Sequence, residues 1–300
     1  MSIIGLVDTD TGSQHPYEPG TTDNILINTN GKNMINQRDL WTASSSVYLA
    51  DRWMLLDKGA GHPTLVTLTQ ETTGLRMTCT TKGIADQMGM FSIIENSTLY
   101  LGKTLTLSAK VKSNRAGASL WIHDSRSNQH TGSGDFEILQ VTRTIDVLFH
   151  VFFLIHQNLA DGDYMEFEWV KLEEGDTATP YVIPDPALEL ARCQRYFQAY
   201  SGASGSIPLS NSYNLNTTQA RGVFHFVETM RTAPSMTISN ASHFSIFHQN
   251  TNVAATNLAF NNIYKDAAYI TATASGLTAG QGSMIAATST DARIFLNAEL

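Results

Sequence analysis

The chain has 300 residues, of which 15% are charged and 42% are hydrophobic, whereas an ordinary soluble domain is about 25% charged. Its formal net charge is −8, which argues against a protein held on nucleic acid by its overall field. No run of about 18 apolar residues occurs, so membrane insertion is not expected. The two cysteines, Cys79 and Cys193, are too few for a disulfide framework or a zinc site and are expected to be buried thiols.

Residues 1–38 are rich in Thr, Asn, Asp and Gly and contain few large apolar side chains. We expect an N-terminal attachment arm with one short strand at residues 24–27. Because it has so little to bury, it should become ordered only against a partner. The first eight residues lack a basic segment followed by a long apolar one, so a secretory signal is not expected.

Period-two alternation of apolar and polar residues dominates the next part of the chain, residues 39–183. Leu105 and Leu107, for example, flank Thr106. Such segments bury one face and expose the other, as strands of antiparallel sheets do. Several of them separated by Gly- and Asp-rich turns predict a jelly roll or β-sandwich.

A linking helix is predicted within residues 184–200. The Asp-Pro pair at residues 185–186 suits a helix start, with Asp as the cap and Pro at the first position. Helical spacing continues through Leu190, Cys193 and Phe197. Most of the negative charge precedes this helix, and the chain after it is nearly neutral, so we place the domain junction here.

Residues 201–300 contain further strand-like runs between stretches of Asn, Thr, Ala and Gly. This distal β-rich domain has few large core residues for its length. A domain that cannot fill its own core often completes it with a second chain. The predicted fold class is therefore mainly β: an antiparallel jelly roll, a short helix and a second β domain, assembled as an intertwined homotrimer.

Four short segments occur in a fixed order along residues 24–234. They are Ile35-Asn36-Gln37-Arg38 with Tyr48-Leu49-Ala50-Asp51-Arg52-Trp53; Val170-Lys171-Leu172-Glu173-Glu174-Gly175-Asp176-Thr177-Ala178-Thr179-Pro180; Glu189-Leu190-Ala191-Arg192-Cys193-Gln194-Arg195-Tyr196-Phe197; and Met230-Arg231-Thr232-Ala233-Pro234. Together they resemble bacteriophage tail-fibre and receptor-binding proteins.

This resemblance implies a carbohydrate-binding-module-like jelly roll, a linking helix and a distal β domain that carries the receptor-binding tip. It also implies a homotrimer on a virion, assembled in the cytoplasm of the bacterial host. The N-terminal arm would attach it to a tail, baseplate or capsid protein, and the trimer would adhere to host-surface polysaccharide. The chain lacks the long shaft of many such fibres, so its place on the particle stays open.

Two aromatic patches are candidate sugar sites. An exposed aromatic ring can stack on the apolar face of a sugar ring, and neighbouring polar groups can bond the sugar hydroxyls. In the first domain, Trp121 shares the polar face of a predicted strand with His123, next to Asp124. Ordinary packing of the indole is the alternative.

In the distal domain, alternation in residues 242–250 directs His243 and Phe247 outward, with His248 following. Three copies around a trimer axis would give avidity to weak sugar contacts. The alternative is that these are ordinary surface or interface side chains.

The linking helix is the candidate trimer interface, with Leu190, Cys193 and Phe197 facing a threefold axis. The alternative is that the helix packs on its own sandwich.

The sequence also contains candidate catalytic residues. Glu166 and Glu168 are predicted on one strand face, and paired carboxylates could serve a glycosidase or bind calcium; a solvated strand edge is the alternative. The sequence His123-Asp124-Ser125 lacks the Gly-x-Ser-x-Gly setting of a nucleophile. We therefore predict a non-enzymatic adhesin with no cofactor or metal ligands. The alternatives are a polysaccharide-degrading tailspike, which usually needs a long repeat-built body, and a secreted lectin, which needs a signal peptide.

Overall fold

The computed structural model describes residues 23–44, 46–56, 65–83, 87–147, 151–157 and 159–300. The strands of the first domain within these ranges are β1 (Thr42–Ala43), β2 (Tyr48–Ala50), β3 (Trp53–Leu55), β4 (Leu65–Gln70), β5 (Leu75–Thr81), β6 (Gln87–Ile93), β7 (Thr104–Ser113), β8 (Ser119–Ile122), β9 (Ser125–Arg126), β10 (Phe136–Thr144), β11 (Val151–Gln157) and β12 (Tyr164–Glu174).

These strands form two antiparallel six-stranded sheets, ordered β1-β4-β5-β12-β7-β10 and β2-β3-β6-β11-β8-β9. The apolar side of the predicted alternation supplies one core between them, with Trp53, Leu75, Leu107 and Leu120 almost completely buried. Cys79 is buried in the same core, as predicted. The predicted antiparallel sandwich is thus confirmed.

Residues 23–38 belong to this sandwich, which corrects the prediction of an arm that needs a partner to become ordered. Leu26 and Met34 are buried in the first core. The Asn24 side chain takes the place of a strand partner for β12, since its Nδ2 donates to Val170 O (2.9 Å) and its Oδ1 accepts from Leu172 N (3.0 Å). The chain here forms bends and not the predicted strand. The rest of the predicted arm, residues 1–22, lies outside the described residues.

The linking α-helix, α1 (Pro186–Gln194), starts as predicted. The Asp185 carboxylate accepts from Ala187 N and Leu188 N at 2.9 Å each. It ends earlier than predicted, however, because the chain pairs with the C-terminal strand from Phe197 onward. No helix in the described ranges is long and apolar enough to cross a bilayer.

The distal domain follows directly. Its strands are β13 (Phe197–Ser201), β14 (Ile207–Asn214), β15 (Gln219–His225), β16 (Ser235–Ile238), β17 (Phe244–His248), β18 (Thr251–Ala254), β19 (Asn257–Asn261), β20 (Ala267–Thr273), β21 (Gly282–Ala287) and β22 (Arg293–Asn297). They form a three-stranded sheet, β13-β22-β16, and a seven-stranded sheet, β18-β17-β21-β14-β15-β20-β19.

The distal domain has a core within one chain, which corrects the expectation that a second chain must complete it. Phe224, Phe244, Ile270, Ile285 and Leu296 are each at most 2% exposed. Short side chains, chiefly alanines, fill the spaces between these large ones. The sequence is therefore thin in large residues but sufficient for a packed interior.

A buried cluster of charged side chains joins the two domains. From the first domain, Arg38 pairs with Asp51 (Nη1 to Oδ1, 2.8 Å); from the distal domain, Glu299 pairs with both Arg38 (3.1 Å) and Arg52. The side chains of Asp51, Arg52 and Glu299 are each at most 4% exposed. Removing one member of a buried ion pair leaves an uncompensated charge. The cluster therefore holds the domains in one arrangement.

Two of the four resemblance segments meet in this junction. Gln37 Nε2 donates to Asp51 Oδ2 (2.6 Å) and to Phe197 O (2.8 Å), so it links the first segment to the third. The Arg52 guanidinium lies 3.8 Å from the centroid of the Tyr196 ring. These residues hold one domain against the other.

The other two segments are structural as well. Arg231 lies beside the junction, where its backbone N donates to Arg195 O (2.8 Å) and its Nε donates to Ala298 O (3.0 Å). In the remaining segment the buried Lys171 Nζ donates to Pro180 O (3.2 Å) and so fixes the chain as it leaves β12. Residues that carry the resemblance therefore stabilise the frame of the molecule.

Asp51→Asn should remove a pH dependence of stability between about pH 4 and 6. Burial raises the pKa of Asp51 from its ordinary 3.8 to about 6, so the folded protein retains a proton there that the unfolded chain has released. The contribution of Asp51 to the free energy of unfolding is therefore largest below about pH 4. It falls as the pH rises through about 6, by up to about 3 kcal/mol.

Urea unfolding of both proteins from pH 4 to 7 measures this effect. Asn at position 51 keeps an acceptor for Gln37 and Arg38, and exposed Asp291→Asn is the matched control. If Asp51→Asn keeps the same slope as the wild type and the control, the assignment of the proton to Asp51 is wrong.

Candidate functional site

The outer face of the seven-stranded sheet carries a group of exposed side chains on β14, β15 and β20. The register places Tyr213 opposite Arg221, and Val223 opposite Tyr269. Side chains directly opposite in an antiparallel pair share a face, as do residues two apart on one strand. His225 therefore lies on this same face, while the alternate residues of β15 enter the core.

These side chains border an open cleft of about 710 Å³. Tyr213, Val223 and Tyr269 are 49%, 40% and 41% exposed, which is unusual for large apolar side chains in the middle of a sheet. The cleft is lined by Leu209, Ser210, Asn211, Ser212, Tyr213, Arg221, Gly222, Val223, His225 and Tyr269. It combines two aromatic rings with hydroxyl, amide, imidazole and guanidinium groups.

Arg221 is the one side chain with a formal charge at neutral pH among the residues that line the cleft. Its Nε donates to Thr271 Oγ1 (3.3 Å) on the neighbouring strand. No carboxylate of the described residues forms an ion pair with it. The terminal nitrogens of the guanidinium are therefore left to solvent or to a ligand.

None of these residues is among the sugar-binding residues predicted from the sequence. Alternation alone predicts that Arg221, Val223 and His225 share one face of a strand. It does not show that Tyr213 and Tyr269 lie beside them, because the neighbouring strands are fixed by pairings between segments up to about 50 residues apart. The cleft emerges only from the sheet order.

Trp121 is not the exposed platform that the alternation of β8 predicts. Its side chain is buried, at 8% exposure. The indole Nε1 donates to Ser119 Oγ (2.8 Å), and the guanidinium of Arg126, directly opposite on β9, lies 3.4 Å from the ring centroid. A sugar ring cannot reach a face that this guanidinium already covers.

His123 and Asp124 form the exposed turn between β8 and β9. Asp124 is paired with Arg143 of β10, and His123 adopts a left-handed backbone conformation with φ of 54°. Their geometry suits a hairpin turn, and the buried indole removes the stacking surface that made them candidates.

The structure does not bring the three distal candidates together on one face. The pleat of β17 separates Phe247 from His248, and His243 lies just before this strand. Phe247 is half-buried on the outer face, opposite Met284 of β21, and β14 with its cleft residues lies beyond β21. His243 bonds Ser239 through Nδ1 (2.9 Å to Oγ). His248 is only 7% exposed, on the core side, and neither ring nitrogen has a hydrogen-bond partner. The buried His248 side chain is therefore not available to a sugar on the outer face.

The predicted trimer face of the helix is also corrected. Cys193 and Phe197 are buried within the chain at 0% and 4% exposure, and Leu190 is 37% exposed. Burial raises the pKa of the Cys193 thiol far above its ordinary value. Because Phe197 belongs to β13, the three residues do not form one exposed helical stripe.

The candidate catalytic carboxylates are engaged in ion pairs. Glu166 is fully buried and accepts from Arg76 Nη2 (2.8 Å) and Nε (3.1 Å). Glu168 lies 2.8 Å from Lys32 Nζ and also pairs with Lys110, and these two lysines lower its pKa. A β-bulge separates the two glutamates. Within the described parts of the chain, no three His, Cys, Asp or Glu side chains are grouped so as to hold a metal ion.

Comparison with known proteins identifies no family. No protein-family model and no curated protein sequence matches the chain. Among solved structures the chain is similar to the N-terminal CBM22-1–CBM22-2 tandem domain of Xyn10C from Paenibacillus barcinonensis, with 13% sequence identity and a TM-score of 0.32. The match covers 93% of this chain and 91% of that one. At that score the overlap carries no argument about fold or function.

Proposed function

We propose that this chain is a non-enzymatic adhesin that binds glycans through the cleft on the outer face of its distal sheet. The observation that carries the proposal is the pair of half-exposed rings, Tyr213 and Tyr269, on either side of Arg221 and Val223. Aromatic faces stack on the apolar side of a sugar ring, while the polar groups of the same cleft bond its hydroxyls.

The proposal that the protein is not an enzyme is supported by the state of its best acid–base candidates. A glycosidase needs one protonated and one ionised carboxyl at a defined separation around its substrate. Glu166 is enclosed and paired with an arginine, and the ion pairs of Glu168 keep it ionised. Neither arrangement supplies a general acid.

We further propose that the protein acts as a phage virion fibre or receptor-binding subunit, attached to a tail, baseplate or capsid protein through its N-terminal residues. The support is the ordered set of segments in residues 24–234 that resemble those proteins. Their structural role at and beside the domain junction fits a frame that presents a distal binding face.

The same proposal includes a homotrimer. Its interface differs from the face of Leu190, Cys193 and Phe197 that the sequence predicts. Val182, Ile183 and Leu188, at the start of α1 and just before it, are 57%, 66% and 62% exposed. Apolar side chains grouped on a linker and helix are what a symmetric self-contact covers. Three copies would also give avidity to weak glycan contacts.

Tyr269→Ala should abolish or strongly weaken glycan binding without changing the fold. Loss of one stacking ring is expected to reduce affinity by about tenfold or more. A glycan array followed by calorimetry on its hits measures this, and Tyr264→Ala is the control, since Tyr264 is 64% exposed but does not line the cleft. Equal binding by both variants and the wild type would locate the receptor site elsewhere.

Leu188→Asp should convert the assembly to monomers. An aspartate in the first turn of α1 is compatible with the helix dipole, so the variant should fold while losing its apolar contact. Sedimentation should give about three times the 32.9 kDa chain mass for the wild type and the chain mass for the variant. Leu99→Asp, at a residue 65% exposed in the first domain, is the control. A monomeric wild type contradicts the trimer.

Removing residues 1–22 should abolish incorporation into particles while leaving the fold intact, because the proposal assigns attachment to these residues and the packed cores contain described residues from Leu26 onward. Mass spectrometry of purified particles measures incorporation, and thermal unfolding compares the truncated and full-length proteins. Recovery of the truncated chain on particles at the full-length level would show that attachment lies elsewhere.

A further inference from the structure

The cleft on the distal sheet contains a cation without an anion. Arg221 lines it together with neutral residues and His225, and no aspartate or glutamate lines it. The protein as a whole carries a net charge of −8. Its overall field therefore does not attract anions, and any preference for an acidic ligand must come from the groups in the cleft itself.

The position of Arg221 suits recognition of an oxyanion. The bond from Nε to Thr271 Oγ1 restrains the guanidinium over the sheet. The N–H groups of the two terminal guanidinium nitrogens remain available to a ligand. Two parallel N–H donors match the two oxygens of a carboxylate or phosphate. Tyr213 lies directly opposite Arg221 in the strand register. A sugar ring stacked on Tyr213 would therefore place its substituents next to the Arg221 guanidinium.

His225 adds a second polar group on the same face. It is exposed and lies four positions along β15 from Arg221, which corresponds to about 13 Å in a strand. Val223 and, beside it, Tyr269 occupy the space between them. An apolar strip with a polar group at each end fits an extended saccharide that carries its acid group at one end.

Resting on the proposed glycan-binding function, we propose that the cleft selects acidic saccharides, with the sugar oxyanion held by Arg221. The ligand class is a saccharide bearing a uronic-acid or sialic-acid carboxylate, or a phosphate on the sugar. Both present paired oxygens to the guanidinium, and the aromatic rings bind the adjoining sugar in either case.

The test uses an array that pairs each uronic-acid or sialic-acid glycan with its methyl ester, and each phosphorylated saccharide with its dephosphorylated form. The wild type should bind the acidic member of at least one pair about 10- to 100-fold more tightly, the range expected for a charge-assisted hydrogen-bonded pair. The pair that shows the preference identifies carboxylate or phosphate as the source.

Arg221→Gln should reduce the ratio of the affinities for the acidic and the neutral member to about one, because glutamine has no positive charge to pair with an oxyanion. Arg221→Lys, which keeps the charge but not the paired donors, should retain a reduced preference. Lys265→Gln makes the same change in net charge at an exposed residue outside the cleft and should bind as the wild type does. Thermal unfolding checks that each variant is folded.

The outcomes separate this inference from the one on which it rests. If glycans bind in a manner that depends on Tyr269 but acidic and neutral members bind equally, only the preference for acid is wrong. The same conclusion follows if Arg221→Gln keeps the preference. If no glycan binds the wild type, or if binding survives Tyr269→Ala, the glycan site in this cleft is itself wrong.

Discussion

The buried charges between the two domains are the constraint on which the rest of the structure depends. Arg38 and Arg52 come from the first domain and Glu299 from the last residues of the second, so the C-terminal residues of the distal domain are held against the first domain. Buried ion pairs contribute little net stability compared with apolar packing, but breaking one is strongly unfavourable. They therefore act mainly to exclude other arrangements of the two domains. The distal sheet, and the cleft on its outer face, is consequently presented at a fixed angle to the sandwich.

Local patterns predicted the elements of this fold well, because their causes lie within a few residues. The strands of the sandwich follow from alternation, and the start of α1 follows from an acidic cap and a proline. The end of α1 did not follow, since Phe197 continues the helical spacing from Cys193. What ends the helix is the pairing of Phe197 with Asn297, a residue 100 positions away. The same limit applies to Trp121: alternation assigned its face correctly, but only the register with Arg126 shows that the face is covered.

The composition of residues 23–38 predicts an arm that needs a partner to become ordered, but these residues are ordered within the sandwich. A segment poor in large apolar residues has little hydrophobic driving force, but it can still become ordered when its polar groups replace missing strand partners. Asn24 and Asn28 do this, Asn24 toward β12 and Asn28 toward the carbonyls of Ile35 and Asp51 (2.8 Å each). Asn28 is itself buried, so its bonds form where water does not compete. A count of apolar side chains does not detect such hydrogen bonds.

The junction and the cleft that we propose as the binding face are under different physical constraints. Replacing a residue such as Arg52 breaks a buried ion pair and leaves Glu299 with Arg38 as its remaining partner. Breaking a buried pair costs several kcal/mol in typical proteins, so the junction can accept few alternatives. Tyr213 and Tyr269 are about half exposed, and substitutions at such positions usually change stability by less than about 0.5 kcal/mol. A binding face built from them can change its ligand without disturbing the frame. The segments around the junction therefore bear on the architecture of the chain, whereas the proposed ligand class rests on the chemistry of the cleft.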